Sequence, residues 1–276
     1  MAEPGDALDR LVQAVRSSAK YAGISEDFVQ RVGAAELSKR RSLKEAIKAT
    51  KNKLHQVGGA YLGAAGDYPR WLAALQDAAA QGNPALRDAC RAVMAHHAST
   101  RERLPILETF FAETLADIAP VTSILDVASG LNPLAVPWMP LAPGAIYTAC
   151  DIYHDMMDFV GAFLALTGVA GRAFVCDAVY DPPDQRAQIA FILKTLPCLE
   201  QVDKSAGLRL LDAVRADYAL VSFPARSLGG RDKGMSAHYE ARLRELLTER
   251  RWPVQRFAFE TELAFLVDKR GDSAAS

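Results

Sequence analysis

At 276 residues, half of them hydrophobic, the chain can bury a sizeable core as one large domain or two unequal ones. Thirty-two basic side chains stand against 33 acidic ones, so attraction to a polyanion has to come from where charge is placed, not from its total. No apolar run approaches the roughly 20 residues that span a bilayer, Met1 to Asp9 is acidic rather than a basic leader start, and Cys90, Cys150, Cys176 and Cys198 show no zinc-ligand spacing, which predicts a cytoplasmic protein with reduced, mostly buried cysteines, no metal and no membrane contact.

In chain order, residues 1–118 are rich in Ala, Leu, Arg, Lys and Glu, with Leu8, Leu11, Val12 and Val15 spaced as on one helix face. This half is expected to be an all-helical domain, punctuated at Gly58-Gly59, Pro69 and Gly82-Asn83-Pro84. Ser99-Thr100 then reads as the cap of a helix carrying Pro105 early and Leu107, Phe111 and Leu115 along one side. After Pro120 short apolar runs alternate with helical stretches, the pattern of a parallel sheet, at Ser123–Val127, Ile146–Cys150, Arg172–Cys176, Ile189–Leu193 and Tyr218–Phe223. Two last runs, Val254–Phe259 and Leu263–Val267, lie close enough for an antiparallel hairpin at the sheet edge. Residues 119–276 therefore predict an α/β, Rossmann-like domain of class I methyltransferase type, with a mostly parallel seven-stranded sheet.

The turn Ala128-Ser129-Gly130-Leu131-Asn132-Pro133 follows the first strand, where a doubly wound sheet binds its ligand. Small Ala128, Ser129 and Gly130 leave room for the methionine and ribose of S-adenosylmethionine, while the missing GxGxxG disfavours a nicotinamide oxidoreductase. Asp151 follows the second strand at the distance where a carboxylate accepts from ribose hydroxyls, and Asp177 follows the third, where adenine would lie. The alternative for each is a cap on the helix that follows. Trp138, shortly after the turn, is placed to border the pocket or simply to pack.

Between Lys39 and Lys53 seven basic residues (Lys39, Arg40, Arg41, Lys44, Lys48, Lys51, Lys53) face one acid, Glu45, a local charge of +6. Such a concentration in a near-neutral chain is the footprint of phosphate contacts, the alternative being a solvated helix face. A second group, Arg226, Arg231 and Lys233, follows the fifth strand on the same sheet edge as the cofactor turn.

Four segments in order, HASTRERLP (His97 to Pro105), DVASGLNP (Asp126 to Pro133), LKTLPCLE (Leu193 to Glu200) and FPARSLGGRDKGM (Phe223 to Met235), give a chain that resembles the aminoglycoside-resistance 16S ribosomal RNA methyltransferases, in the branch of the antibiotic-producing actinomycetes. That family methylates N7 of a guanine in the decoding A site. The resemblance implies a monomer acting on 16S rRNA within the assembled 30S subunit. It places the cofactor pocket on Tyr61, His97, Ala98, Ser99, Thr100, Arg101, Glu102, Arg103, Ala128, Gly130, Asp151, Asp177, Ala178 and Leu193, with Arg103 on the cofactor carboxylate. Gln201 joins them as the substitute for a family glutamine, since Val202 stands at that position. Lys48, Lys51, Lys53, Lys194, Arg226, Arg231 and Lys233 would meet RNA. Guanine N7 carries a free lone pair, so no catalytic acid or base is expected. The competing readings are methylation elsewhere, such as the A-site adenine N1 or a small molecule, and a non-catalytic ribosome-binding factor with a vestigial fold.

Overall fold

The computed structural model describes residues 4–59, 66–225 and 235–271. Its first half is helical: α1 (Pro4–Arg16), α2 (Glu26–Leu37), α3 (Leu43–Leu54), a π-helical turn (His55–Gly59), α4 (Tyr68–Gln81), α5 (Asn83–Met94), α6 (Ala98–Arg103) and α7 (Leu107–Thr114). Local chemistry sets these limits. The Ser42 hydroxyl accepts from the Glu45 N–H at 3.3 Å to start α3, and Gly82, at φ 103°, takes the chain from α4 into α5.

One expected helix is divided. His97, not Ser99, stands at the N-cap of α6, and Thr100 Oγ1 instead donates to the Met94 carbonyl at 2.7 Å. Pro105 has no N–H to return to Arg101 and its ring crowds that carbonyl, so α6 ends at Arg103 and a short 3₁₀ turn leads into α7.

The second half builds one sheet from β1 (Val121–Val127), β2 (Leu141–Asp151), β3 (Ala170–Val175), β4 (Ala187–Leu193), β5 (Ala216–Pro224), β6 (Val254–Ala258) and β7 (Glu262–Asp268), in the order β3-β2-β1-β4-β5-β7-β6. The first five strands are parallel, and β7 runs antiparallel to both β5 and β6. Strands buried on both faces read as continuous apolar runs, which is why β1, β4 and β5 fall within two residues of their expected starts. β2 begins five residues early, because Pro143-Gly144 lies where its register with β1 shifts and masks the strand pattern. Among the described residues, α8 (His154–Leu166), α9 (Leu196–Val202), α10 (Ala206–Ala213) and α11 (Met235–Leu246) pack with this sheet.

One buried hydrophobic cluster runs from Leu11, Phe28 and Leu54 through Phe110 and Phe111 to Phe191 and Phe265. The helical half is thus packed onto the sheet domain. Its α2 and π-helical turn close one side of the crevice at the carboxyl ends of the paired strands β1 and β4, from which the chain continues to β2 on one flank and to β5 on the other.

Candidate cofactor cleft and substrate-docking surface

At those strand ends lies a cleft lined mostly by apolar side chains with a few polar groups among them, the make-up of a small-ligand site. Ala128 comes from the β1 turn, Asp151, Ile152 and Tyr153 from the end of β2, Cys176, Ala178 and Val179 from beyond β3, and Leu193 and Lys194 from the end of β4. The helical half contributes Phe28, Val57, Gly58, His97 and Ser99. Both Ala128 (φ 52°) and Lys194 (φ 58°) hold the left-handed conformation, which costs a non-glycine residue of order 1 kcal/mol and is concentrated at ligand sites.

Asp151 is the group around which the cleft is organised. One carboxylate oxygen accepts from the Gly130 N–H at 2.9 Å and the other from the Ile152 N–H at 2.6 Å, tying the β1 turn to the end of β2. Each oxygen keeps a lone pair for a further donor. Burial raises its pKa, and the two main-chain N–H groups oppose that rise. Helix α8 starts three residues later with Tyr153 at its N-cap, so Asp151 caps no helix. An anionic acceptor flanked by apolar Ile152, Val179 and Leu199 fits a nucleoside: hydroxyls on the carboxylate, a flat base between aliphatic walls. These residues match the nucleoside end of S-adenosylmethionine.

Asp177 is differently employed. Its carboxylate accepts from the Val179 and Tyr180 N–H groups at 3.0 and 3.1 Å and faces Arg31 of α2 at 3.2 Å, and it is absent from the cleft lining. Burial raises its pKa against those three partners. The turn-stabilising alternative therefore describes its side chain, while its neighbours Ala178 and Val179 carry that segment into the cleft.

The HASTRERLP segment is split between cleft and core. His97 and Ser99 line the cleft, with Ser99 Oγ 3.0 Å from His97 Nδ1. Burial, then Lys194, Arg103 and Arg101, lower the His97 pKa to about 4, so its ring is neutral at physiological pH. A Cβ on Gly130 would fall 2.8 Å from His97 Cε1, so the glycine serves the approach of this ring as well as its own φ of 51°. Gly130→Ala is expected to cost about 1–3 kcal/mol through positive-φ strain and overpacking. Thermal unfolding checks it, and an unchanged midpoint would refute the close-packing role.

Ala98 and Thr100 are buried, and Arg101 is exposed. Arg103, expected on the cofactor carboxylate, lies outside the cleft lining and is 1 % exposed. Its Nε and Nη2 donate to Glu262 at 3.0 and 2.6 Å, and Nη1 donates to Asn132 at 2.7 Å. The bidentate carboxylate of Glu262 has claimed the fork that a ligand would use. Glu262 is also reached by Ser222 Oγ at 2.5 Å and by Lys194 Nζ at 3.3 Å. Burial alone would raise its pKa, but Arg103 and Lys194 outweigh that and hold it low.

Lys194, expected to meet RNA, is turned into the protein in this structure. Its ammonium is buried, donating to the Ser99 carbonyl at 3.1 Å and to Glu102 at 2.8 Å, on a residue whose backbone is left-handed. The DVASGLNP segment supplies a second buried network, in which Tyr147 Oη and Asn132 Nδ2 donate to Asp126 at 2.6 and 2.9 Å. Burial raises Asp126 to about 6, against those two hydrogen bonds. Glu262 and Asp126 had no place among the expected site residues. Asp126 was visible as the one acid in an apolar strand, whereas Glu262 gave no local signal. Gln201 sits on the exposed flank of α9, where its carbonyl accepts from Lys53 Nζ at 2.7 Å, and Trp138 packs away from the cleft with Nε1 on Glu108 at 2.9 Å. Tyr61, Arg226, Arg231 and Lys233 lie outside the described residues.

On α3 the charge is spread as its spacing predicts. Lys44 and Lys48 are exposed and Lys51 is half-buried, one above another at i, i+4, i+7, while Ala46, Thr50 and Leu54 face inward. Lys39, Arg40, Arg41 and Lys48 line a shallow surface groove with Asn52 and the acid Glu45; Arg40 is partly neutralised by Glu36 at 2.8 Å. No cluster of metal-ligating side chains and no helix long and apolar enough to cross a membrane occurs among the described residues.

Comparison with known proteins agrees with this architecture over nearly the whole chain. The sequence is 38% identical to a 16S rRNA (guanine(1405)-N(7))-methyltransferase of Micromonospora rosea, over 96% of this chain and 97% of that one. It is 31% identical to a Serratia marcescens protein of the same name, over 93% and 96%. The crystal structure of the 16S rRNA methyltransferase RmtF in complex with S-adenosyl-L-homocysteine superposes with a TM-score of 0.84 at 30% identity, covering 97% of this chain and 99% of the other. The 16S rRNA methylase RmtB gives 0.76 at 25% identity, over 95% and 98%. With residues 16–266 matching the profile of the ribosomal RNA methyltransferases (FmrO), and a cleft at the strand ends built to hold a nucleoside, the chain belongs to that family.

Proposed function

We propose that this protein is an S-adenosylmethionine-dependent 16S rRNA methyltransferase that modifies N7 of guanine 1405 and thereby confers aminoglycoside resistance. The observation that carries the reading is the full-length kinship with enzymes of that name, in a chain whose Asp151 cleft retains the acceptor a nucleoside needs. An intact cleft speaks against a vestigial fold.

S-adenosylmethionine supplies an electrophilic sulfonium methyl, and guanine N7 offers an in-plane lone pair that needs no deprotonation. The protein's task is then alignment in a site shielded from water. Asp151 would hold the ribose hydroxyls, Ile152 and Val179 would flank the adenine, and Ala128, His97 and Ser99 would shape the methionine end. Neutral His97 adds no charge beside the sulfonium. Arg103 acts from behind the cleft: it fixes Asn132 of the β1 turn and, through Glu262, the buried Lys194.

Residues 1–118 form the docking domain and 119–276 the methyltransferase domain, acting as a monomer on the assembled 30S subunit in the cytoplasm. The basic row of α3 supports this reading, because RNA presents phosphates rather than base edges along its deep, narrow groove. The target base has to leave its stack at a cost of a few kcal/mol, which phosphate contacts on α3 offset.

Incubation with 30S subunits and labelled S-adenosylmethionine, followed by borohydride and aniline cleavage, is expected to map the label to guanine 1405. Label at another nucleotide, the neighbouring adenine included, would overturn the site. The double variant Lys48→Glu/Lys51→Glu is expected to bind 30S subunits more weakly, with a shallower salt dependence by about one to two phosphate contacts, while S-adenosylhomocysteine affinity is unchanged. An unaltered salt slope would remove α3 from the docking surface.

A further inference from the structure

Each of the two aspartates Asp151 and Asp177 follows a cysteine. Cys150 immediately precedes Asp151 at the end of β2, and Cys176 immediately precedes Asp177 just beyond β3. The strands are parallel partners, Cys150 lying opposite Phe174, and the Cys176 N–H donates to the Asp151 carbonyl at 2.9 Å. This brings the two free thiols to 2.8 Å between Sγ atoms. Cys176 lines the cleft and is partly accessible, whereas Cys150 is fully buried behind it. Cys198 also lines the cleft, but its Sγ is engaged by the Lys194 carbonyl at 3.4 Å, and Cys90 belongs to the buried face of α5.

We propose that Cys150 and Cys176 form an oxidation site on the wall of the cofactor cleft, which a peroxide-class oxidant converts to a disulfide and which bound cofactor shields. A disulfide requires sulfurs about 2.05 Å apart, so closure asks for less than about 1 Å of movement. The accessible Cys176 sulfur reacts first: it displaces one peroxide oxygen, the O–O bond breaks, and a sulfenic acid and one water result. The Cys150 sulfur then attacks the sulfenic sulfur, the S–S bond forms, and the hydroxyl departs with the Cys150 proton as a second water. Both thiols are oxidised by two electrons in total and one peroxide is reduced. A ligand in the cleft lies between Cys176 and solvent, so the cofactor-free enzyme is the oxidisable form. Only this protection rests on the cofactor reading; the dithiol rests on its own geometry.

The test is mass spectrometry of the full chain after hydrogen peroxide treatment. The wild-type protein is expected to become two hydrogens lighter, to yield a Cys150–Cys176 linked peptide, and to revert with dithiothreitol, while neither Cys150→Ala nor Cys176→Ser does so. S-adenosylhomocysteine at a hundredfold excess over its Kd is expected to slow the reaction about a hundredfold. Oxygen addition without a cross-link, or a link from Cys176 to Cys198, overturns the dithiol. A cross-link formed at equal rates with and without S-adenosylhomocysteine overturns the shielding. Calorimetry on the same sample then tells whether the ligand had bound, separating a failed shield from a failed cofactor assignment.

Discussion

Replacing Arg103 with alanine is expected to destabilise the protein by about 3–5 kcal/mol, the range for breaking a buried ion pair by removing one partner. Arg103 and Glu262 are 1% and 0% exposed, and their bidentate contact joins α6 to the start of β7 across more than half the chain. Truncation leaves Glu262 with only Lys194 at 3.3 Å and Ser222, and strips Asn132 of the donor that steadies the β1 turn. Urea unfolding of the wild type, Arg103→Ala, Glu262→Gln and the double variant gives the answer. The double variant should recover part of the loss, because it no longer buries an unpaired charge. A loss below about 1 kcal/mol would place the pair in the class of exposed ion pairs and refute its burial. Acid should have a related effect. Glu262 is held below its ordinary range, so its contribution is present above the unfolded value of about 4.3 and is lost as pH falls through the lower folded value.

Asp151→Ala is expected to weaken S-adenosylhomocysteine binding by about a hundredfold or more, since hydrogen bonds to a charged acceptor contribute about 1.5–3 kcal/mol each. The loss has two sources, the missing acceptor and the freed N–H groups of Gly130 and Ile152. Asp177→Ala should differ in kind. It removes the caps on Val179 and Tyr180 and the Arg31 ion pair, so stability falls while affinity falls less. Calorimetry of both variants separates the roles. Equal losses of affinity would return Asp177 to the cleft, and an Asp151→Ala affinity within twofold of wild type would remove Asp151 from it.

Legibility in the sequence followed the range of the interactions involved. Strands β1, β4 and β5 showed as apolar runs because both their faces are buried, and the β1 turn showed because its small residues are adjacent in the chain. The basic row of α3 was visible because helical neighbours lie three or four residues apart. What escaped was non-local. Periodicity cannot tell that Arg103 meets Glu262 rather than a ligand, or that the Lys194 ammonium is buried. Asp151 is the last residue of β2 and pairs with Val175, whereas Asp177 lies two residues beyond β3, where its own turn at Val179 and Tyr180 and the approach of Arg31 from α2 set its task; neither offset nor packing is written in the local pattern.

The buried charge cluster bears on turnover. Arg103 and Lys194 are balanced by Glu102 and Glu262, and His97 is neutral, so among the described residues that line the cleft the charge left over is the carboxylate of Asp151. A chamber with one surplus anion discriminates between a sulfonium and the thioether that remains after its methyl has gone. Methyl transfer therefore removes the charge that this chamber favours, and the spent ligand leaves an electrostatic environment better suited to its replacement.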